Sequence, residues 1–141
     1  MRVPLQSRDK NAAISELIDL LETSGLLADK AAVSEAVFAR EQTRSTGIGS
    51  GIAIPHGKCN AVKELVMAIG IAHDPIDFDS IDGNPVSIVI LLVSPSTQTG
   101  RHIQALATIS RLMLDEEFKQ AFEQTSQASE AYKLLQDKEK E

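Results

Sequence analysis

The chain has 141 residues, 43% of them hydrophobic, which suits one domain with a packed core and excludes global disorder. Its formal net charge of −6 argues against nucleic acid as a partner, because neutralising phosphates requires clustered Lys and Arg. There is no Trp and one Tyr, so the core must be aliphatic; the single cysteine, Cys59, cannot close an internal disulfide. No signal peptide opens the chain, and the longest apolar run, Ile88 to Val93, is far short of the roughly 20 residues that cross a bilayer. These features lead us to expect a reduced, cytoplasmic protein with no membrane insertion.

Residues 2–6 read as a short strand that Pro4 confines to an edge. A helix follows from about Asp9 to Ser24, with Ala13, Ile14, Leu17, Ile18 and Leu21 at helical spacing and Gly25 ending it. A second helix begins after the N-cap residue Asp29, carries Ala32, Val33, Ala36 and Val37 on one face, and reaches about Glu41. Residues 45–57 hold four glycines and one proline, which forbids a helix; the central Ile52-Ala53-Ile54 is predicted as a short buried strand stopped by Pro55. Leu65 to Ala72 and Val86 to Val93 are strand segments, the second apolar enough to be covered on both faces. The turn residues Asp82-Gly83-Asn84-Pro85 suggest that these two strands form a hairpin with an elaborated loop. After the loop at residues 94–100 a helix is predicted from about Arg101 to Leu114, with Ile103, Leu106, Ile109, Leu112 and Met113 facing inward. Asp115 caps a short helix holding Phe118 and Phe122, Ser126 caps a last one holding Ala131, Leu134 and Leu135, and the charged tail from Asp137 is expected to fray. The fold class that follows is α/β. We expect a single-domain sandwich over residues 1–141, with a mixed sheet of about five strands flanked by helices on both faces.

The glycine-rich run is the most unusual stretch, and it is not a nucleotide site. A P-loop needs four residues between its first Gly and a Gly-Lys pair, whereas five separate Gly51 from Gly57, and Cys59 follows Lys58. Gly47, Gly49 and Gly51 have the wrong period for a dinucleotide fingerprint. His56 lies between a strand-breaking proline and a glycine, a rigid loop position where catalytic side chains often sit, and imidazole is nucleophilic when neutral near pH 7. Position alone leaves a reactive histidine and an ordinary surface histidine equally open. His102 lies in the first turn of a helix, where the backbone N–H groups favour anions and keep an imidazole neutral. His73 reads as a loop histidine. No His or Cys pair has close metal-ligand spacing, so no metal is expected. Arg40 is either a solvated helix-terminal charge or a guanidinium that clamps phosphate oxygens; Lys58 is a weaker candidate for that task.

Arg40-Glu41, Ser45-Thr46-Gly47-Ile48-Gly49 and Gly51-Ile52-Ala53-Ile54-Pro55-His56-Gly57 together resemble the active-site signature of the mannitol/fructose-type IIA domains. These belong to the bacterial phosphoenolpyruvate-dependent sugar phosphotransferase system, and the family also contains nitrogen-regulatory IIA proteins. The similarity continues through Pro75 to Phe78, Asp82 to Val86, His102 to Leu106 and Ser110 to Leu112, in order along nearly the whole chain. The resemblance implies that His56 accepts phosphate on Nε2 from the phosphocarrier HPr and passes it to a IIB domain. Arg40, 16 residues before His56, and His102, 46 after it, fall where the family's supporting arginine and second histidine sit. Arg40, His102 and the N–H groups around Ser45, Thr46 and Gly47 would hold the phosphate oxygens. No cofactor is implied. In the nitrogen-regulatory branch the same phosphorylation would instead govern binding to regulatory target proteins.

Overall fold

The computed structural model describes residues 1–43 and 45–139. Two helices come first. In α1 (Lys10–Thr23) the Asp9 carboxylate accepts from the Ala12 N–H at 2.8 Å, and Gly25, at φ +76°, carries the chain out. In α2 (Lys30–Thr43) Asp29 accepts from the Ala32 N–H at 3.2 Å, and Val33, Val37 and the polar Glu41 are buried. The predicted edge strand at residues 2–6 reduces to a single parallel bridge between Arg2 and Gly70; beside it Leu5 packs on the bare Gly70 backbone, where a Cβ would lie 2.6 Å from its side chain.

The glycine-rich run contributes three short strands, β1 (Gly47–Gly49), β2 (Ile52–Ala53) and β3 (His56–Lys58). β1 and β2 are antiparallel around a tight turn at Ser50 and Gly51, both with positive φ. β4 (Val66–Ile76) and β5 (Val86–Ser94) form the expected antiparallel hairpin, with a register irregularity between Ile71 and Ile76. β4 runs four residues past the predicted Ala72, so His73 lies on a strand and not in a loop. It is exposed and donates its Nε2–H to the Thr125 carbonyl at 2.9 Å.

β2 and β3 behave as one interrupted strand. Both run parallel to β5, and every paired residue matches the one 36 positions on: Ile52 with Ile88, Ala53 with Val89, His56 with Leu92, Lys58 with Ser94. Pro55 has no N–H to give the ladder, yet its carbonyl still accepts from Leu92 N–H at 3.0 Å, so the register survives the break. The five segments therefore occupy about four positions across a mixed sheet, with β5 at its centre.

Both faces of that sheet are covered. Val89, Leu91 and Val93 of β5 and Ala68 and Ala72 of β4 join the buried residues of α1 and α2. The alternate positions Ile88, Ile90, Ile69 and Ile71 meet the three C-terminal helices, α3 (Thr99–Met113), α4 (Glu116–Glu123) and α5 (Ala128–Glu139). This explains why β5 is apolar throughout. Asp115 caps α4 as expected, accepting from Phe118 N–H at 3.1 Å. Ser126 does not cap α5 through its side chain; its N–H donates to Glu130 at 3.1 Å. Helix α5 continues into the tail as far as Glu139; residues 140 and 141 lie outside the described part. A 3-10 turn at Ser96–Gln98 replaces most of the loop expected before α3.

One expectation on α3 is overturned. Ile103 was placed inward by spacing but is 62% exposed, and His102 is buried at 3% exposure. The inward stripe is His102, Leu106, Ile109, Leu112 and Met113. A histidine occupies its first position because a buried serine waits there, as described below.

Gly57 sets the distance between sheet and α2. A Cβ there would lie 3.2 Å from both the Ala36 carbonyl carbon and the Val37 nitrogen, so helix backbone rests on strand backbone. Gly57→Val should force α2 outward and cost about 1–3 kcal/mol, measured as a lower urea midpoint with unchanged slope.

Candidate functional site

Five segments meet at the break in the β2–β3 strand. A pocket of about 260 Å³ is lined by Arg40 from α2, Ser45 and Thr46 before β1, Ile54 and His56 from the interrupted strand, Ile81 from the β4–β5 loop, and Leu106 and Ser110 from α3. The structure thus brings Arg40, Ser45, Thr46 and His56 together around one cavity. His102 stands beside it: its ring lies 5.3 Å from that of His56, edge to face at 62°.

The His56 ring is fixed by its own backbone. Its Nδ1 lies 2.8 Å from the Ile54 carbonyl oxygen. A carbonyl only accepts, so Nδ1 carries the proton and Nε2 keeps the lone pair. Ile54 N–H is turned to Thr46 O at 3.0 Å, on the β1 side, and β1 pairs no further than Ala53, so the Ile54 carbonyl is left for the imidazole. Burial holds the His56 pKa below its ordinary value. The Ile54 hydrogen bond opposes this, Arg40 adds to it, Glu41 opposes it, and Lys58 lowers it further.

His102 is held by Ser94, the last residue of β5, whose hydroxyl lies 2.7 Å from Nδ1. Ser94 is fully buried. The His102 pKa is also lowered, first by burial, then by His56 and Lys58. Lys58 Nζ reaches Thr99 Oγ1, the first residue of α3, at 3.4 Å. Two neutral imidazoles therefore sit among the cations Arg40 and Lys58.

The loop at Ser45, Thr46 and Gly47 presents its donors inward. Thr46 N–H donates to Glu41 Oε1 at 3.0 Å and Thr46 Oγ1–H to Glu41 Oε2 at 2.6 Å. Gly47 N–H donates to Ser45 Oγ at 3.1 Å, and Ser45 Oγ–H to the Phe78 carbonyl. Ser45 and Thr46 wall the pocket; Gly47 lies behind it, with its α-carbon close against Ser80.

The family model "Phosphoenolpyruvate-dependent sugar phosphotransferase system, EIIA 2" matches residues 1–138. The chain belongs to this family. Among EIIA 2 relatives it is 35% identical, over 84% of its length, to the fructose-specific EIIABC component of Bacillus subtilis, of which it spans only 19%. It is 34% identical over 93% of its length to a nitrogen regulatory protein of Bradyrhizobium diazoefficiens, spanning 85% of that protein. Its fold matches the nitrogen regulatory protein IIA-Ntr of Neisseria meningitidis at a TM-score of 0.85 and 33% identity, covering 94% of this chain and 90% of that one. It also matches the mannitol IIA of Escherichia coli at a TM-score of 0.81 and 21% identity, over 95% and 94% of the two chains, a likeness of fold alone. Among the described residues no helix is long and apolar enough to cross a membrane.

Several residues at the candidate site carry weak signals in the sequence. Ser94 looked like the start of a loop, and its only signal was a polar residue closing an apolar strand. Leu106 was expected inward and is; Ser110 follows it at an interval of four on the same face of α3 and also lines the pocket. Glu41 stood in the signature only as the neighbour of Arg40, and nothing in the sequence pointed to its burial.

The lowered histidine values set a pH dependence. An unfolded imidazole takes its proton near 6.5 and the folded ones only below that, so the unfolded state binds more protons in this window. Stability due to His56 and His102 is intact above 6.5 and falls as pH drops through it. Wild type should lose more thermal stability between pH 7.5 and 5.5 than a His56→Gln/His102→Gln variant, as read by circular dichroism melting.

Proposed function

We propose that this protein is a cytoplasmic phosphocarrier in which His56 is the phosphorylated residue. The observation that carries the reading is the hydrogen bond from His56 Nδ1–H to the Ile54 carbonyl, which leaves the Nε2 lone pair at a pocket shared with Arg40. In the proposed step, Nε2 attacks the phosphorus of a phosphohistidine on an HPr-type carrier. The P–N bond to the donor breaks as the new one forms, and the donor imidazole recovers its lone pair. Arg40 neutralises the phosphoryl oxygens, and His102, with its ring beside His56, donates to them through Nε2–H in the tautomer whose Nδ1 accepts the Ser94 hydroxyl. Ser45 and Thr46 shape the oxygen side of the pocket, and Gly47 supports them. In the onward step a nucleophile of a IIB domain of the fructose or mannitol type attacks the phosphorus, the P–N bond to His56 breaks, and the lone pair returns to Nε2. Phosphoryl transfer asks little more of a protein than a placed nucleophile and charge neutralisation, and the pocket holds both. A depressed His56 pKa keeps the attacking lone pair available at neutral pH. One solved structure similar to this chain in fold is a complex of mannitol IIA with phosphorylated mannitol IIB from Escherichia coli.

A second reading is supported by the 33% identity and TM-score of 0.85 to a nitrogen regulatory IIA. Here the same phosphohistidine switches binding to regulatory targets and no sugar transporter is fed. The two readings share the site and differ in what the loaded protein touches.

Incubation with phosphoenolpyruvate, enzyme I and HPr should add one phosphate, seen as a mobility shift on a phosphate-affinity gel. His56→Ala should abolish it, and Arg40→Ala or His102→Ala should slow loading about 10²-fold, the usual effect of losing one group that stabilises transferred charge. An unlabelled wild type, or equal labelling of His56→Ala, refutes the carrier role. Label that passes to a purified fructose-type IIB favours transport; label that stays while partner capture changes favours regulation.

A further inference from the structure

We propose that Glu41 sets how tightly the phosphoryl group is held on His56, by competing with that group for the donors of Thr46. The inference rests on the carrier reading above and concerns a residue to which that reading gives no part.

Glu41 lies in the last turn of α2, next to Arg40, and is only 5% exposed. Its carboxylate is fully engaged. Oε1 accepts from Thr46 N–H at 3.0 Å and from Lys10 Nζ at 2.8 Å, and Oε2 accepts from Thr46 Oγ1–H at 2.6 Å. The directions follow from chemistry, since an ionised carboxylate has no proton to give. Lys10, from the first turn of α1, offsets the cost of burying the charge.

Thr46 is 4% exposed and lines the same pocket as His56 and Arg40. It has two donors, and both are spent on Glu41. The neighbouring donors are spent as well, Gly47 N–H on Ser45 Oγ and Ser45 Oγ–H on the Phe78 carbonyl. An incoming phosphoryl group therefore meets lone pairs on this side of the pocket, with a carboxylate behind them. It can recruit Thr46 only by displacing a charge-assisted bond of 2.6 Å. The group is then held from one side, by Arg40 and His102, and the loop does not close around it. A carrier must release what it accepts, since the P–N bond to His56 has to break as the phosphorus bonds to the next nucleophile and the lone pair returns to Nε2. A loop that withholds its donors keeps the phosphohistidine high in energy and transferable.

Glu41→Gln tests this without dismantling the loop. The amide oxygen, placed as Oε1, still accepts from Thr46 N–H and from Lys10. The amide nitrogen, placed as Oε2, donates to Thr46 Oγ1, so the threonine proton turns toward the pocket. The protein is loaded with phosphoenolpyruvate, enzyme I and HPr, desalted, and its phosphohistidine followed by ³¹P NMR at pH 7.5. The expected result is a phosphohistidine lost about tenfold more slowly than in wild type, the size of one hydrogen bond to a charged group. A Glu41→Gln/Thr46→Val variant should lose that gain. Lys10→Met leaves the carboxylate uncompensated and should shorten the lifetime, which tests the idea even if Glu41→Gln folds poorly. General damage to the loop would not lengthen the lifetime in one variant and shorten it in the other. Equal lifetimes in wild type, Glu41→Gln and Lys10→Met overturn the inference, as does a gain that persists without the Thr46 hydroxyl. A wild type that never loads removes the carrier reading itself, a different result from a loaded wild type whose lifetime the variants do not change.

Discussion

The register of residues 52–58 along β5 is the constraint on which the site depends. It holds one offset through a proline that removes a rung from the ladder. Had the break shifted the strand by one residue, His56 would have turned to the other face. Because the offset survives, His56 pairs with Leu92 near the end of β5, and Ser94, two residues later, is in place to hold His102. The same strand presents Gly57 to α2 with no side chain between them, so the helix that carries Arg40 and Glu41 lies against the backbone of the strand that carries His56. His56 and Arg40 are thus placed by backbone contacts, and His102 by the side-chain hydroxyl of Ser94. Backbone placement is stiff, which is what an in-line transfer needs.

Electrostatics complete what the register begins. Burial alone would leave two imidazoles neutral, and the nearby cations Arg40 and Lys58 push His56 the same way. Arg40 thus has one effect with two uses: it disfavours a proton on His56 and suits a phosphoryl group there. Glu41 acts in the opposite sense on the ring, and it also holds Thr46. The two adjacent residues of α2 therefore pull the site in opposite directions, one toward holding an anion and one against it. On the carrier reading, tight holding of the phosphoryl group would gain nothing, and a balance between the two residues would suit transfer in both directions.

Much of this is legible in the amino-acid sequence. The doubly covered β5, the β4–β5 hairpin and the first two helices followed from periodicity and caps, because these depend on local pattern and burial. The strands β1 and β3 were not legible. Each is three residues long, and what makes them strands is pairing with segments distant in sequence, not propensity. His102 was singled out as a helix-start histidine facing an anion, but its burial was not, and Ile103 was given its inward place. A hydrophobic pattern assigns the apolar residue to the core by default; Ser94 reverses that by offering a buried hydrogen-bond partner to the polar one. The donors of Ser45, Thr46 and Gly47 were expected to face a phosphate. Which way a donor points depends on its acceptors, and these, Glu41 and the Phe78 carbonyl, come from a helix end and from a loop 33 residues away from Ser45.

The shape of the pocket bears on how one site serves two kinds of relative. At about 260 Å³ it is lined by the His56 imidazole, the Arg40 guanidinium, the small hydroxyl side chains of Ser45, Thr46 and Ser110, and the aliphatic Ile54, Ile81 and Leu106. On the carrier reading, what enters is the end of another protein's phosphorylated side chain, and the remainder of that protein meets the rim. Ile81, which lines the pocket from the β4–β5 loop, is 67% exposed, and Ile103, beside His102 on α3, is 62% exposed. Discrimination between a transporter domain and a regulatory target then falls to exposed residues that can change without disturbing the register, the histidine pair or Glu41. A transfer centre built from backbone contacts and buried polar groups, with its selectivity left to surface side chains, can keep one chemistry while its partners change.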